Sequence, residues 1–168
     1  MTGALFVLTA PSGSGKTTLR RRLLKRSPSM TFSVSCTTRA PRRGERHGVD
    51  YFFVSEKEFL RMRKERKLLE WARVHGHHYY GTPRGPVERA VRQGKDVLLD
   101  VDPQGARSVR RAAGKRIPTV LVLMVPPSFA ELRKRLRGRG DMTPGEIRGR
   151  LADAADFAQL RTRDQLRK

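Results

Sequence analysis

A glycine-rich segment that follows an apolar run and precedes a basic helical pattern carries the clearest chemical signal in the sequence. It comprises Ala10, Pro11, Ser12, Gly13, Ser14, Gly15, Lys16, Thr17 and Thr18. Glycines let backbone N–H groups turn towards phosphate oxygens, and the N-terminus of the next helix adds positive potential. In such loops the lysine reaches the β- and γ-phosphates, and the following hydroxyl binds Mg²⁺. The segment predicts a nucleotide-binding phosphate loop, although Ala10 stands where the general pattern has glycine. A glycine-rich turn is the alternative.

Two carboxylates lie at the end of a second apolar run, at residues 97–101. Asp100 is inside the run and Asp102 follows it. A carboxylate at the carboxyl end of a parallel strand beside a phosphate loop is a usual anchor for Mg²⁺. We expect Asp100 to serve the metal, through a water molecule. Capping of the helix predicted from Pro103 onwards is the alternative for the two acids.

Apolar runs and helical patterns alternate along most of the chain. The runs typical of buried parallel strands occupy residues 4–9, 97–101 and 120–125. The helical patterns occupy residues 16–25, 56–66, 83–92, 103–113 and 128–137. This alternation indicates βαβ units and a parallel sheet covered by helices. Residues 32–74 break the rhythm with short β-prone pieces at residues 32–35, 51–54 and 68–74, so we predict a small inserted subdomain there.

Composition narrows the class of protein only slightly. The 168 residues suit one domain, and the single cysteine, Cys36, excludes an internal disulfide. The formal net charge of +21 favours anionic partners, although a GC-rich genome that uses arginine freely would produce part of it. No apolar stretch reaches the length of a membrane span, and the first residues lack the pattern of a signal peptide. We therefore expect a cytoplasmic protein without a membrane partner.

Further motifs follow the phosphate loop in a specific order. They occupy residues 32–45 (FSVSCTTRAPRRGE), 48–54 (GVDYFFV), 70–72 (EWA), 79–82 (YYGT), 100–105 (DVDPQG) and 135–140 (RLRGRG). Together they resemble the guanylate kinase family, from about residue 5 to about residue 155. That family transfers the γ-phosphoryl group of ATP to GMP, with Mg²⁺, and yields ADP and GDP.

The resemblance implies a fold and a division of the chain. The expected fold is α/β, of the P-loop NTPase type, with three layers, a parallel core sheet, an inserted small GMP-binding β subdomain and a helical lid. One domain would span residues 1–168, with a core of residues 1–31 and 84–134. The GMP-binding subdomain would occupy residues 32–83 and the lid residues 135–152. Residues 153–168 would form a divergent or truncated tail, because no run typical of the family's next strand follows.

The resemblance also implies a GMP site. It consists of Ser35, Arg39, Arg42, Tyr51, Glu70, Tyr80, Thr82 and Asp102. The arginine forks and phenols suit a phosphate monoester. Guanine presents two donors, N1–H and the 2-amino group, which a carboxylate matches, so Glu70 is the expected guanine reader. Adenine cannot satisfy that carboxylate, which favours GMP over AMP. Taken singly, each residue has an ordinary alternative as a core aromatic or a solvated charge.

The motif at residues 79–82 contains one tyrosine more than the phosphate site needs. We predict that Tyr80 meets the phosphate, because Gly81 and Thr82 follow it as they do in the family.

The catalytic set implied by the resemblance is strongly cationic. It consists of Lys16, Arg42, Arg135, Arg139 and Arg150. The last three belong to the expected lid, where arginines stabilise charge on the transferring phosphoryl group. A basic amphipathic helix is the alternative for this segment.

Three other functions compete with GMP phosphorylation. A guanylate-kinase-like binding module keeps the fold without catalysis, but such modules typically lose the ATP loop. A sugar-phosphate kinase of the same fold does not need a guanine reader. A specific nucleic-acid binder is suggested by charge alone, and no recognition motif accompanies that charge. The oligomeric state has no signal in the sequence.

Overall fold

The structure, a computed structural model, describes residues 2–74, 77–114, 116–138, 140 and 142–162. The strands are β1 (Leu5–Thr9), β2 (Thr31–Phe32), β3 (Cys36–Thr37), β4 (Phe52–Phe53), β5 (Leu68–Val74), β6 (His78–Pro83), β7 (Val97–Asp100) and β8 (Thr119–Leu123). The helices are α1 (Lys16–Arg26), α2 (Glu56–Lys64), α3 (Arg84–Arg92), α4 (Pro103–Ala113), α5 (Phe129–Arg137) and α6 (Pro144–Thr162). None of these helices is both long and apolar enough to span a bilayer. Of the predicted tail, residues 163–168 lie outside the described part.

A parallel sheet with the strand order β2–β7–β1–β8 forms the core of the molecule. Leu5 at the start of β1 pairs with Val97 of β7 on one side and Thr119 of β8 on the other. The main hydrophobic core joins this sheet to α3 and α4. Its buried members are Leu5, Val7, Leu69, Val87, Val91, Val97, Leu99, Val101, Ala106, Val109 and Ala113. The predicted α/β fold with a parallel core sheet is confirmed.

A second sheet, with the order β4–β3–β6–β5, forms the inserted unit. Strands β5 and β6 are antiparallel neighbours, and Glu70 pairs with Thr82 across them. Cys36, Phe59 and Leu68 form a small separate core beneath this sheet. Leu69, in contrast, packs into the main core, so adjacent residues of β5 are buried in different units. Strand β5 therefore ties the insert to the parallel sheet.

Residues 31–37 depart from the predicted arrangement. Thr31 and Phe32 pair with Val97 and Leu98 of β7, so the first β-prone piece begins in the parallel sheet and not in the insert. The Ser33 N–H also donates to the Leu98 carbonyl, at 3.0 Å. The chain enters the second sheet only at β3. The sequence has no periodic pattern that would predict this change of sheet, because β2 and β3 have only two residues each.

Helix α6 extends beyond the predicted lid, through residues assigned to the tail. Ala154 lies in a cluster with Leu132 and Leu136 of α5. Phe157, one turn further, is also buried. The apolar side chains on α6 therefore hold it against α5.

The end of α2 contains a strained residue. Arg66 has a φ of 54°, in the left-handed region that glycine prefers. Its N–H donates to the Arg63 carbonyl, and the N–H of Lys67 donates to the Met62 carbonyl. These two bonds form a Schellman motif, which normally has glycine at this position.

We predict that Arg66→Gly stabilises the protein, because it removes the steric cost of the left-handed backbone. The free energy of unfolding should rise by about 1 kcal/mol, a gain of a few degrees in Tm. Lys64→Gly, two residues earlier within the helix, is the control and should be destabilising. A thermal melt in which Arg66→Gly is the less stable protein would contradict the argument.

Candidate active site

The glycine-rich loop joins the carboxyl end of β1 to the N-terminus of α1. Gly13 and Gly15 have φ values of 86° and 92°, which a residue with a side chain rarely adopts. A Cβ atom on Gly13 would also lie 2.9 Å from Cδ2 of Leu136. The backbone conformation thus requires both glycines of the loop. Helix α1 begins at Lys16, with its N-terminus facing the loop.

Lys16 and Asp100 form an ion pair next to this loop. The distance from Lys16 Nζ to Asp100 Oδ1 is 2.6 Å. The parallel register explains the contact, because Asp100 at the end of β7 pairs with Leu8 of β1. Thr17 lies exposed in the first turn of α1. An ammonium, a hydroxyl and a carboxylate therefore share the carboxyl edge of the sheet, where ligands of α/β proteins bind.

Two of the predicted lid arginines reach the loop. The Arg135 guanidinium donates to the Ser14 carbonyl at 3.4 Å and to Glu131 Oε1 at 2.7 Å. The Arg150 guanidinium donates to Ser12 Oγ at 2.6 Å. Arg135 comes from α5 and Arg150 from α6, which the apolar cluster holds together. The third predicted arginine, Arg139, lies outside the described residues.

The first turn of α6 contains an exposed acid, Glu146. Hydrogen bonds from Thr143, helped by the charges of Arg150 and Arg42, lower the pKa of Glu146 below its usual value. Arg42 itself is exposed on the insert, and its N–H donates to Glu45 Oε2 at 2.7 Å. The Arg42 charge thus lies within electrostatic range of the first turn of α6.

A buried carboxylate marks a second polar pocket, on the insert. Glu70 is 7% exposed, and its Oε1 accepts a hydrogen bond from Thr82 Oγ1 at 2.7 Å. An irregularity between Leu68 and Glu70 interrupts the alternation of β5. Three consecutive residues are therefore buried, where regular alternation would expose one. Burial raises the pKa of Glu70 to about 7; Asp102 adds to this rise, and the hydrogen bonds from Thr82 oppose it.

Two further predicted residues belong to elements that adjoin this carboxylate. Ser35 is nearly buried, directly before β3. Asp102 is the N-cap of α4, and its Oδ1 accepts a hydrogen bond from the Gly105 N–H at 2.6 Å. The capping alternative is thus realised for Asp102, while Asp100 faces Lys16. Capping fixes the Asp102 carboxylate close enough to raise the pKa of Glu70.

An arginine and two tyrosines form a polar cluster next to Thr82 on the second sheet. The Arg39 guanidinium donates to both carboxylate oxygens of Glu45, at 2.9 Å each, and to the Tyr80 hydroxyl at 3.1 Å. The Tyr51 and Tyr80 rings meet edge to face, with centroids 6.0 Å apart. Burial alone would lower the pKa of Arg39, but the bonds to Glu45 and Tyr80 raise it. Burial also raises the pKa of Tyr51 to about 12, so its hydroxyl keeps its proton.

The alternation of β6 separates its two tyrosines. Tyr80 lies two residues from Thr82 and shares its face of the sheet. Tyr79 points to the other face, where its ring stacks on Phe59 with centroids 5.3 Å apart. Only the face of Tyr80 carries Arg39 and the buried carboxylate.

Glu45 is a site residue that sequence analysis did not identify. It belongs to the quoted motif, but no chemistry was assigned to it. Burial alone would raise the pKa of Glu45, but the hydrogen bonds from Arg39 and from the Arg42 N–H, together with the charges of both arginines, lower it. The one available signal was its position as an acid inside an arginine-rich segment.

A glycine-rich loop at the end of a parallel strand, with Lys16 at the start of the next helix, defines a P-loop nucleotide-binding protein. Comparison with known proteins agrees. The family profile described as Guanylate kinase matches residues 2–162. The guanylate kinase of Bordetella pertussis is 50% identical over 153 residues, which cover 90% of this chain and 69% of that protein.

Two further relatives give the same result. The guanylate kinase of Thermotoga maritima is 49% identical over 154 residues, which cover 92% of this chain and 72% of that protein. The crystal structure of guanylate kinase from Anaplasma phagocytophilum has a TM-score of 0.75 and 35% identity, and the match covers 94% of this chain and 71% of that one. The chain belongs to the guanylate kinase family of phosphotransferases.

The raised pKa of Glu70 has a consequence for stability. An ordinary glutamate in the unfolded chain ionises near 4.5, and the folded one near 7. Between these values the folded state keeps a proton that the unfolded state has lost. The contribution of Glu70 to the free energy of unfolding should therefore be largest below pH 4.5 and fall as pH rises through 7, by on the order of 3 kcal/mol.

We predict that Glu70→Gln removes this part of the pH dependence, because glutamine stays neutral and keeps an acceptor for Thr82. Urea unfolding between pH 4.5 and 8 measures the difference. Glu56→Gln, at an exposed position of α2, is the control and should keep the slope of the unsubstituted protein. Equal slopes in the Glu70 variant and the parent would contradict the assignment.

Proposed function

We propose that the chain transfers the γ-phosphoryl group of ATP to GMP and yields ADP and GDP. One observation carries the proposal: the buried Glu70 carboxylate is bonded to Thr82, and Tyr80 lies on the same face of β6, where it is bonded to Arg39. Arg39 and Tyr80 suit a phosphate monoester. A nucleoside monophosphate has this combination of a base and a single phosphate. The product makes this a reaction of purine nucleotide metabolism, and we expect it to take place in the cytoplasm.

Glu70 would select the base. An ionised carboxylate accepts the N1–H and 2-amino hydrogen bonds of guanine, whereas adenine has no N1–H to donate. Thr82 and Ser35 would support the base through their hydroxyls, and Asp102 completes the polar wall. A site built on such pairs rejects an analogue that leaves them unpaired by roughly 10⁴–10⁵.

The outer residues would bind the GMP phosphate. Arg39 is held by Glu45 and Tyr80, so its guanidinium is ordered before substrate arrives and less entropy is lost on binding. Arg42 and Tyr51 would add a second fork and a phenol. Because burial keeps the hydroxyl of Tyr51 protonated, it is available as a donor to an anionic oxygen.

The loop from Ala10 to Thr18 would bind the ATP phosphates. Lys16 would move from Asp100 to the transferring phosphate, and Arg135 and Arg150 would stabilise the charge that develops there. The oxygen donors of Thr17 and Asp100 suit Mg²⁺ and would hold it, and the ion would supply positive charge to offset that of the phosphates. Phosphoryl transfer depends mainly on position and charge, so no strong general base is required.

The two alternatives of this fold fit less well. A binding module without catalysis has no use for an ordered Lys16–Asp100 pair or for arginines that reach the loop. A sugar-phosphate kinase has no use for a carboxylate that is costly to bury. An assay that compares GMP with other phosphate acceptors tests both alternatives directly.

We predict that, in a coupled ADP-release assay, GMP is preferred over AMP, CMP and ribose 5-phosphate by at least about 10³-fold in kcat/KM. Lys16→Ala should lower kcat by about 10²–10³ or more while a thermal melt shows an intact fold. Lys25→Ala, on the same helix but distant from the loop, is the matched control. Equal use of GMP and AMP would contradict the base assignment, and a normal kcat in Lys16→Ala would contradict the role of the loop.

A further inference from the structure

Gly105, in the first turn of α4, is buried directly against Glu70. A Cβ atom at this position would lie 2.9 Å from Glu70 Oε2 and 3.1 Å from Asp102 Oδ1. The third neighbour would be Cβ of Val101, also at 3.1 Å. A separation under 3.0 Å is shorter than real Cβ contacts, so a side chain at position 105 must displace the Glu70 carboxylate.

The backbone gives no reason for glycine at this position. Gly105 is not among the glycines with positive φ, and it lies within a regular helix. Glycine inside a helix costs about 0.5–1 kcal/mol relative to alanine. Glycine is therefore explained by the lack of room for a side chain at this position. The atom nearest to such a side chain would belong to the Glu70 carboxylate.

The two oxygens of this carboxylate are constrained in different ways. Oε1 is held by the Thr82 hydroxyl at 2.7 Å. Oε2 faces Gly105, whose N–H is already used by Asp102. Oε2 is the free end of a flexible side chain, so a new methyl group would shift it with little cost to the fold. The shift would instead alter the direction in which the carboxylate faces the pocket.

We propose that Gly105 is a positioning residue for guanine selection, which acts by leaving α4 open to the Glu70 carboxylate. This inference rests on the proposed function, since it assumes that Glu70 reads the base. The residue does not touch substrate. It sets the position of the residue that does.

A side chain at position 105 should affect the stability of the protein and its recognition of GMP differently. In Gly105→Ala the helix gains a better helix former, and its unfolded state loses conformational freedom. The contacts at 3.1 Å with Val101 Cβ and Asp102 Oδ1 offset this gain, so the stability should stay close to that of the parent. GMP recognition should nevertheless weaken, because hydrogen bonds to a charged acceptor depend strongly on its position.

The experiment compares Gly105→Ala with Gly85→Ala, a helical glycine of α3 whose added Cβ would meet the end of the Arg89 side chain at 3.3 Å. For Gly105→Ala we expect kcat/KM with GMP to fall about 10- to 100-fold. The KM for ATP should stay within about twofold of the parent value, since the phosphate loop is unaffected. Gly85→Ala should leave both constants unchanged.

A double-mutant cycle with Glu70→Gln tests whether Gly105 acts through Glu70. If it does, Gly105→Ala should have much less effect on the KM for GMP in the Glu70→Gln background than in the parent. Equal effects in both backgrounds, or an unchanged KM for GMP, would overturn the proposal. A matching rise in the KM for ATP would also overturn it, because it would indicate general disruption.

Failure of the proposed function is distinguishable from failure of this inference. If the unsubstituted protein does not prefer GMP, the proposed function is wrong whatever the variant does. The displacement of the Glu70 carboxylate in Gly105→Ala can then still be tested by a measurement that does not depend on enzyme activity. The fall in stability between pH 4.5 and 7 should be smaller in Gly105→Ala, because the displaced carboxylate is less buried, and an unchanged fall would contradict even that part.

Discussion

The burial of one carboxylate is the constraint on which the rest of the site depends. The side chain of Glu70 extends from β5 to the first turn of α4, where water is largely excluded. An ionised group in such a place is stable only with hydrogen-bond partners. Thr82 supplies one partner, and Asp102, which is itself an acid, makes ionisation harder. The pocket is therefore prepared to gain most from a ligand that brings two N–H donors.

Strand β7 and helix α4 connect this pocket to the phosphate loop. Asp100 ends the strand and pairs with Lys16, and Asp102 begins the helix and lies beside Glu70. The two carboxylates are separated by Val101, which is buried in the main core. The geometry of donor loop and acceptor pocket thus depends on one short, well-packed segment. A reaction that relies on the relative position of two phosphates gains from such a connection.

How much could be predicted from sequence differs between the two parts of the site. The phosphate loop is local, because its glycines, Lys16 and the helix that follows are contiguous, and its setting between β1 and α1 was predicted. The burial of Glu70 is not local. It results from the irregularity in β5, the pairing with β6 and the packing of α4, so only family resemblance pointed to this residue. Strand β6 was not predicted, because its histidine, glycine and proline obscure the alternation. The pairing of Arg39 with Glu45 likewise depends on a turn that no periodicity reports.

The most direct test of this account is the number of protons released when GMP binds. Isothermal titration calorimetry at pH 6.5, in buffers with different enthalpies of ionisation, measures this number for the parent protein and for Glu70→Gln. Protons that come from the GMP phosphate contribute equally to both proteins, so the difference reports on Glu70. We predict that the parent releases roughly three quarters of a proton more than the variant, and that the difference vanishes at pH 8.5. Equal release at pH 6.5 would show that a buried carboxylate at position 70 does not ionise to bind guanine.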